Sequence, residues 1–375
     1  MIKRKIEDRI IQNLIPNKVN LIFGARRVGK TVLMKEIIGK FSGKYLYLNG
    51  EDFDSQSLLE PQSVSNYKRL LEGIDLLAID EAQNIKDIGK KLKLIVDEIE
   101  GIRVLASGSS SFDLLNKAGE PLVGRSFNYY LFPFSQSELN QQENALETKR
   151  NLDERLLFGS YPEILNLQNT EQKKDYLRDI TNAYLLKDIL SIDGLKNSKK
   201  MTDLLRLIAF QSGNEVSYDE LGRQLGLSRN TIEKYLDLLA QVFIVFRMGA
   251  YSKNLRKEIS KSSKWFLLDT GIRNALISDF SPMNTRKDSG QLWENYILSE
   301  RIKQNFYQNE HKNFYFWRTY DGQEIDLIEE SEGKISALEC KLGTKIPRIP
   351  QAFKSNYPDA EYSVVNQDNY LDFLI

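Results

Sequence analysis

Gly24, Gly29, Lys30 and Thr31 stand at the spacing G-x-x-x-x-G-K-[ST], within Gly24-Ala25-Arg26-Arg27-Val28-Gly29-Lys30-Thr31. Phosphate chemistry needs this set of residue types. The glycines let the backbone turn so that N–H groups converge on an anion, the lysine reaches the β- and γ-phosphates, and the threonine hydroxyl is a ligand for Mg²⁺. The apolar run Val19 to Phe23 leads into the stretch, and Val32-Leu33-Met34-Lys35-Glu36-Ile37-Ile38 follows it. The spacing therefore predicts a buried strand, a loop and a helix whose N-terminus adds partial positive charge. ATP with Mg²⁺ is the cofactor expected there.

A second constellation complements the first. The run Ile74-Asp75-Leu76-Leu77-Ala78-Ile79 ends in Asp80 and Glu81. A fully buried parallel strand reads as an unbroken apolar run, and this one would deliver Asp80 to Mg²⁺. Glu81, one residue on and facing the other way, would orient an attacking water. Next, Ile102-Arg103-Val104-Leu105-Ala106 runs into Ser107-Gly108-Ser109-Ser110-Ser111. A hydroxyl there, Ser109 by choice, would sense the γ-phosphate, or the serines would cap a helix beginning near Phe112. Arg125 opens the strand-like stretch that runs to Phe134. It is the candidate arginine finger, supplied across a subunit boundary, or else an exposed arginine at a strand end.

A separate set of acids lies toward the other end of the chain. Glu294 falls in the helical stretch Gln291 to Leu298; Phe314 to Arg318 and Gln323 to Ile328 read as a hairpin turned at Asp321-Gly322. A third strand runs from Ile335 to Lys341. Asp326 and Glu339 thus lie on consecutive strands, with Glu339 and Lys341 on one face. Two carboxylates and a lysine on one face are what metal-assisted phosphodiester hydrolysis uses. A solvated strand face carrying a glutamate and a lysine is the plain alternative.

Elements must hold these groups. Ile2, Ile6, Ile10, Ile11 and Leu14 predict a helix over residues 2–15, ended by Pro16. Lys44 to Asn49 is a strand, and Ser135 with Glu138 is a capping box. Helical periodicity dominates residues 152–190. Ser217 and Glu220 start a helix that ends at Gly226, and Ser228 caps a second carrying Ile232, Tyr235, Leu236 and Leu239. This is helix-turn-helix spacing, followed by a wing strand at Val242 to Arg247 and by the basic residues Lys253, Arg256, Lys257, Lys261 and Lys264. A winged helix would offer Arg229, Asn230 and Lys234 to a DNA groove and the wing to phosphates, or would serve as an interaction module. The division expected is residues 1–140 for the nucleotide core, 141–195 for a helical lid or linker, 196–252 for the winged helix and 253–375 for the end domain.

Composition narrows the class. With 52 basic and 52 acidic residues, the chain has no overall basic field for nonspecific nucleic-acid binding, so any such surface is local. One cysteine, Cys340, excludes an internal disulfide framework and fits a reducing compartment. His311, the only histidine, excludes histidine-rich metal chemistry. With no apolar run long enough to span a bilayer, a cytoplasmic protein without a membrane partner is expected.

The alternation of strands and helices, with acids on the third strand, resembles AAA+ ATPases over residues 16–140. The Glu294, Asp326, Glu339 and Lys341 block resembles the PD-(D/E)xK nuclease superfamily. Together with Gly159-Ser160-Tyr161-Pro162-Glu163, these motifs resemble a group of prokaryotic AAA+ ATPases whose C-terminal half is a domain of unknown function. The resemblance implies an α/β fold class: a P-loop AAA+ parallel sheet with helices on both faces, a helical lid, a winged helix and a restriction-endonuclease-like end domain. It implies an ATPase module, and the leading reading of the residues is a homo-oligomeric ATPase that acts on or senses nucleic acid. A nucleotide switch or scaffold, and an ATP-gated endonuclease, are the competing readings.

Overall fold

The computed structural model describes residues 2–108, 122–184, 198–252, 263–343 and 346–375. They fall into two compact units, one reaching Phe132 and including Gln241–Phe243, the other made of the described residues from Pro133 onward apart from that segment. Among the described residues no helix is long and apolar enough to cross a membrane.

The first unit is organised by strands β1 (Lys18–Phe23), β2 (Tyr45–Asn49), β3 (Leu76–Asp80), β4 (Arg103–Gly108) and β5 (Ser126–Tyr130). They lie in the order β2-β3-β4-β1-β5, and every pairing is parallel. Parallel sheets are covered on both faces, which is why Val19–Phe23 and all of β3 are buried and read as unbroken apolar runs. Spatial order departs from chain order at β1, which is flanked by β4 and β5. A crevice at the carboxyl ends of the strands beside such a reversal is where open α/β sheets bind ligands. The loop after β1 opens at that edge, as do Asp80 at the end of β3 and Ser107 near the end of β4.

Lys30–Lys40 is helical, as its spacing predicts. The N-terminal helix is shorter than predicted, spanning only Glu7–Gln12. Before it the chain is tied down by the Arg4 guanidinium, which donates to the carbonyls of Val28, at 3.0 Å, and of Phe132. Those bonds hold the approach in place without helical turns.

The second unit is built on one sheet of seven strands in the order β12-β11-β10-β9-β7-β8-β6. These are β6 (Glu215–Val216), β7 (Val245–Ala250), β8 (Ser263–Leu267), β9 (Asn313–Arg318), β10 (Glu324–Ser331), β11 (Lys334–Cys340) and β12 (Glu361–Val365). The β9–β10 hairpin turns at Gly322, whose φ is 86°, and β9, β10 and β11 form an antiparallel meander. A helix of six residues, Gln351–Asn356, then brings β12 back parallel to β11.

Two segments that the sequence divides at residue 252 share this sheet. β7 pairs antiparallel with β8 and parallel with β9, in the register Gly249↔Tyr315 and Ala250↔Phe316. An isolated two-stranded hairpin is marginal in water. Here Met248, Ala250 and Phe266 instead join Trp293, Phe316 and Leu338 in a common core. Beside the sheet lie the helices Ser198–Phe210, Tyr218–Leu225 and Arg229–Gln241. Ser217 Oγ accepts from the Glu220 N–H at 3.3 Å, and Gly226 ends its helix in the left-handed region at φ 61°.

Candidate functional site

The loop after β1 depends on glycine at two points. A Cβ on Gly24 would lie 2.1 Å from the Leu131 carbonyl oxygen, and Gly29 holds φ at 99°, where side chains are strained. The helix it launches has no side-chain N-cap and no acid in its first turn. Those are the positions where ordinary helices place Ser, Thr, Asp or Asn, so the helix end is left to an anion. Lys30 is 4% exposed, and its Nζ donates to the carbonyls of Gly24 at 2.9 Å and Ala25 at 3.1 Å. The ammonium is thereby held inside the loop, where phosphate oxygens would replace the two carbonyls.

Asp80 gathers donors from several elements. Thr31 Oγ1 donates to its Oδ2 at 2.6 Å and the Tyr47 hydroxyl donates to the same oxygen at 3.2 Å. Ser107 Oγ and the Glu81 N–H donate to Oδ1, the latter at 3.1 Å. Burial first, then the Asp80 carboxylate, pushes the Tyr47 hydroxyl up to about 12, so it stays a donor. Glu81 is held at φ 48°, ψ 44°, a left-handed conformation that costs a non-glycine residue about 1 kcal/mol or more. Gln83 Nε2 donates to its Oε2 at 2.5 Å. The fold thus brings Lys30, Thr31, Asp80 and Glu81 to one edge of the sheet. Tyr47 and Ser107 join them without having been singled out. The period-two alternation of β2, which sets Tyr47 on the same side as Tyr45 and Asn49, was the available signal for the tyrosine.

Two other candidates fare differently. Ser109 lies outside the described residues. Arg125 precedes β5 at its amino end, where its carbonyl accepts from the Val19 N–H at 2.9 Å. Its guanidinium donates to Asp97 Oδ1 at 2.6 Å. In a parallel sheet the amino end of β5 is the edge opposite the loop, so Arg125 does not reach its own chain's nucleotide site.

In the second unit, Arg229, Asn230 and Lys234 are exposed on the helix after Gly226, and Arg229 pairs with Asp219 at 3.2 Å. An open cavity of about 700 Å³ lies there, lined by Asp219, Gly222, Arg223, Gly226, Leu227 and Arg229. Lys253, Arg256, Lys257 and Lys261 of the expected basic wing lie outside the described residues. Lys264 corrects that expectation: it is 3% exposed, its Nζ bonds the Glu324 carboxylate, and it stands 3.6 Å from Glu294 Oε1. A charge on a strand is buried only where counter-charges meet it, and here they are acids.

Glu294, Asp326, Glu339 and Lys341 converge on the same place. Lys341 Nζ pairs with Glu339 Oε1 at 2.6 Å, and Asp326 Oδ2 accepts from the Cys340 N–H at 2.8 Å. Burial, then Asp326, pushes the Glu294 carboxyl up to about 8, against the pull of Lys264. Burial also raises Asp326 and Glu339. Glu294 Oε1 and Glu339 Oε2 are buried without a hydrogen-bond partner. Among the described residues no three acids, histidines or cysteines are set to hold a metal ion. The cation positions facing Glu294 and Glu339 are taken by Lys264 and Lys341.

Comparison with known proteins finds three matched segments. Residues 16–140 match an AAA domain, residues 149–283 a domain of unknown function (DUF8612) and residues 289–373 a second (DUF4143). The chain is 27% identical over 352 residues to an uncharacterized protein of Methanocaldococcus jannaschii, covering 88% of this chain and 77% of that protein. It is 26% identical over 363 residues to an uncharacterized protein of Mycobacterium tuberculosis, covering 96% of this chain and 78% of that one. A solved Walker-type ATPase of Pyrococcus abyssi is similar over 74% of this chain and 96% of its own, at 15% identity and a TM-score of 0.48. The AAA domain match and the loop on a parallel sheet together support a P-loop ATPase fold for residues 16–140.

Proposed function

We propose that the chain binds ATP with Mg²⁺ at residues 24–31 and hydrolyses it. The observation that carries this is the 2.6 Å bond from Thr31 Oγ1 to Asp80 Oδ2, which joins the two groups expected to share the ion. Mg²⁺ would neutralise charge that develops on the phosphates. The loop N–H groups and Lys30 bind the β- and γ-phosphates, Tyr47 and Ser107 orient Asp80, and Glu81 orients the attacking water. Lys30→Ala and Glu81→Gln should abolish phosphate release, and normal turnover in purified Lys30→Ala protein would refute the reading. Arg125, at the edge opposite its own loop, acts on a neighbouring subunit's nucleotide. Arg125→Ala should then lose ATPase activity only under conditions where the chain assembles.

A second reading concerns the partner. The sequence of helix, short β6, two helices and the β7–β8 hairpin, with exposed Arg229, Asn230 and Lys234, supports a winged helix that meets nucleic acid. The meander β9–β10–β11, flanked by the helix Ser289–Gln308 and by β12, supports a nuclease-like fold whose acids are faced by lysines. The chain then senses nucleic acid and does not cut it. DNA should raise the ATPase rate with a steep salt dependence, and Arg229→Ala with Lys234→Ala should remove that response. A rate indifferent to DNA would favour a scaffold that binds proteins.

A further inference from the structure

Lys264 is the member of the acid cluster that no motif calls for. It comes from β8, next to the helix-turn-helix segment, and its backbone pairs with Glu215 of β6. Its ammonium lies 5.2 Å from the Phe316 ring centroid and in the field of Glu294, Glu324 and Asp326. An ion-pair chain continues outward, for Arg318 meets Glu324 at 4.0 Å and Glu215 at 2.9 Å. On the other side Gly213, just before β6, lets the Glu294 carboxylate approach, since a Cβ there would stand 3.1 Å from Glu294 Oε2. Ser212 Oγ donates to Asn295 Oδ1 at 2.7 Å, beside Glu294 on the same helix.

Charge accounts for this arrangement. Carboxylates gathered in a half-buried cleft repel one another and need a cation. Mg²⁺ would be held by one or two of these carboxylates together with waters, and the Lys264 ammonium stands in that position between Glu294 and Glu324. An ammonium asks less, being a compact point charge on a flexible stem that can donate to whichever oxygens face it.

We propose that Lys264 is the resident cation of this cluster. Its ammonium takes the place of a divalent ion, pairing with Glu324 of β10 and facing Glu294 of the helix Ser289–Gln308, and so fastens β8 to both. Divalent ions gain the site only when that ammonium is removed. The proposal rests on the nuclease-like reading only for the location of the acids, and it is independent of nucleotide hydrolysis at the loop.

The test is Mn²⁺ binding to the full chain without nucleotide, read by electron paramagnetic resonance, together with thermal unfolding with and without Mg²⁺. Any contribution from the loop is common to all variants and cancels in the comparison. Lys264→Met keeps the length of the side chain and removes its charge. It should bind Mn²⁺ about tenfold or more tightly than the wild type, and its unfolding midpoint should rise with Mg²⁺ while the wild type's stays put. Adding Glu339→Gln to Lys264→Met should cancel both gains, and loss of the nuclease-like reading alone would leave them untouched. Folded Lys264→Met protein with no gain would overturn the proposal. So would a Mn²⁺ site in the wild type that Glu339→Gln removes. Should Lys264→Met not fold with or without Mg²⁺, that wild-type titration decides: a site dependent on Glu339 overturns the proposal and its lack upholds it.

Discussion

Thr31 and Asp80 are joined directly, Oγ1 to Oδ2 at 2.6 Å, so the first turn of the helix after the loop and the last residue of β3 already meet. The hydroxyl is ready to act as a ligand because the strand register, and not the nucleotide, brings its partner to it. Thr31→Ala should therefore reduce phosphate release by about 100-fold or more, the scale of a contact made in the transition state, with unchanged circular dichroism. Turnover near the wild-type rate would show that the pairing is only structural.

Tyr47 adds a donor to the same carboxylate from β2, at 3.2 Å. A hydrogen bond to a charged group is worth about 1.5–3 kcal/mol, and Thr31 and Ser107 share the load. Tyr47→Phe should raise the Mg²⁺ concentration for half-maximal ATPase by about fivefold and leave kcat little changed. A fall in kcat with no shift in Mg²⁺ dependence would place the hydroxyl in some other role.

Gly24 has no room for a side chain against the Leu131 carbonyl, 2.1 Å from the position of a Cβ. Gly24→Ala must push backbone against backbone, at a cost of about 1–3 kcal/mol. The unfolding midpoint should fall by several degrees and ATP should bind more weakly. An unchanged midpoint would mean that the loop opens at no cost.

The acid cluster makes stability depend on pH. Glu294 is raised from the ordinary glutamate range to about 8, first by burial and then by Asp326, with Lys264 and Glu324 facing it as well. Between the ordinary glutamate value and about 8, the folded chain keeps a proton that the unfolded chain releases. This contribution is thus full below the glutamate range and is lost as pH rises through the folded value. The raised Asp326 and Glu339 act in the same direction. Denaturant midpoints should fall between about pH 5 and 8, and Glu294→Gln should flatten the slope. An equal slope in that variant would assign the effect elsewhere.

Much of the first unit was legible because its chemistry is local in sequence. The loop spacing and the run into Asp80-Glu81, like the hairpin at Asp321-Gly322 in the second unit, each declare themselves within a few residues, and each is found in place. What failed to show was long-range. That Arg125 lies at the edge opposite its own loop follows only from the parallel register, which sets the next residue, Ser126, beside Val19. Ser107 meets the Asp80 carboxylate by its place in the register of β4, which composition does not carry, while Ser109, Ser110 and Ser111 lie outside the described residues. Lys264 resembled its lysine-rich neighbours, and only the pairing of β8 with acids on a distant helix and strand shows it to be buried.

The short parallel pairing of β7 with β9 sets an order of events for a chain made from its amino end. Residues 198–252 can form their helices early, but the β9-facing edge of β7 finds Tyr315 and Phe316 only after both have been synthesised. Such long-range contacts pay their loop-closure entropy first and fold slowly. During that interval β7 offers an open edge to other chains. A fragment ending at residue 252 would keep that edge permanently, and would aggregate although its helices Tyr218–Leu225 and Arg229–Gln241 are intact.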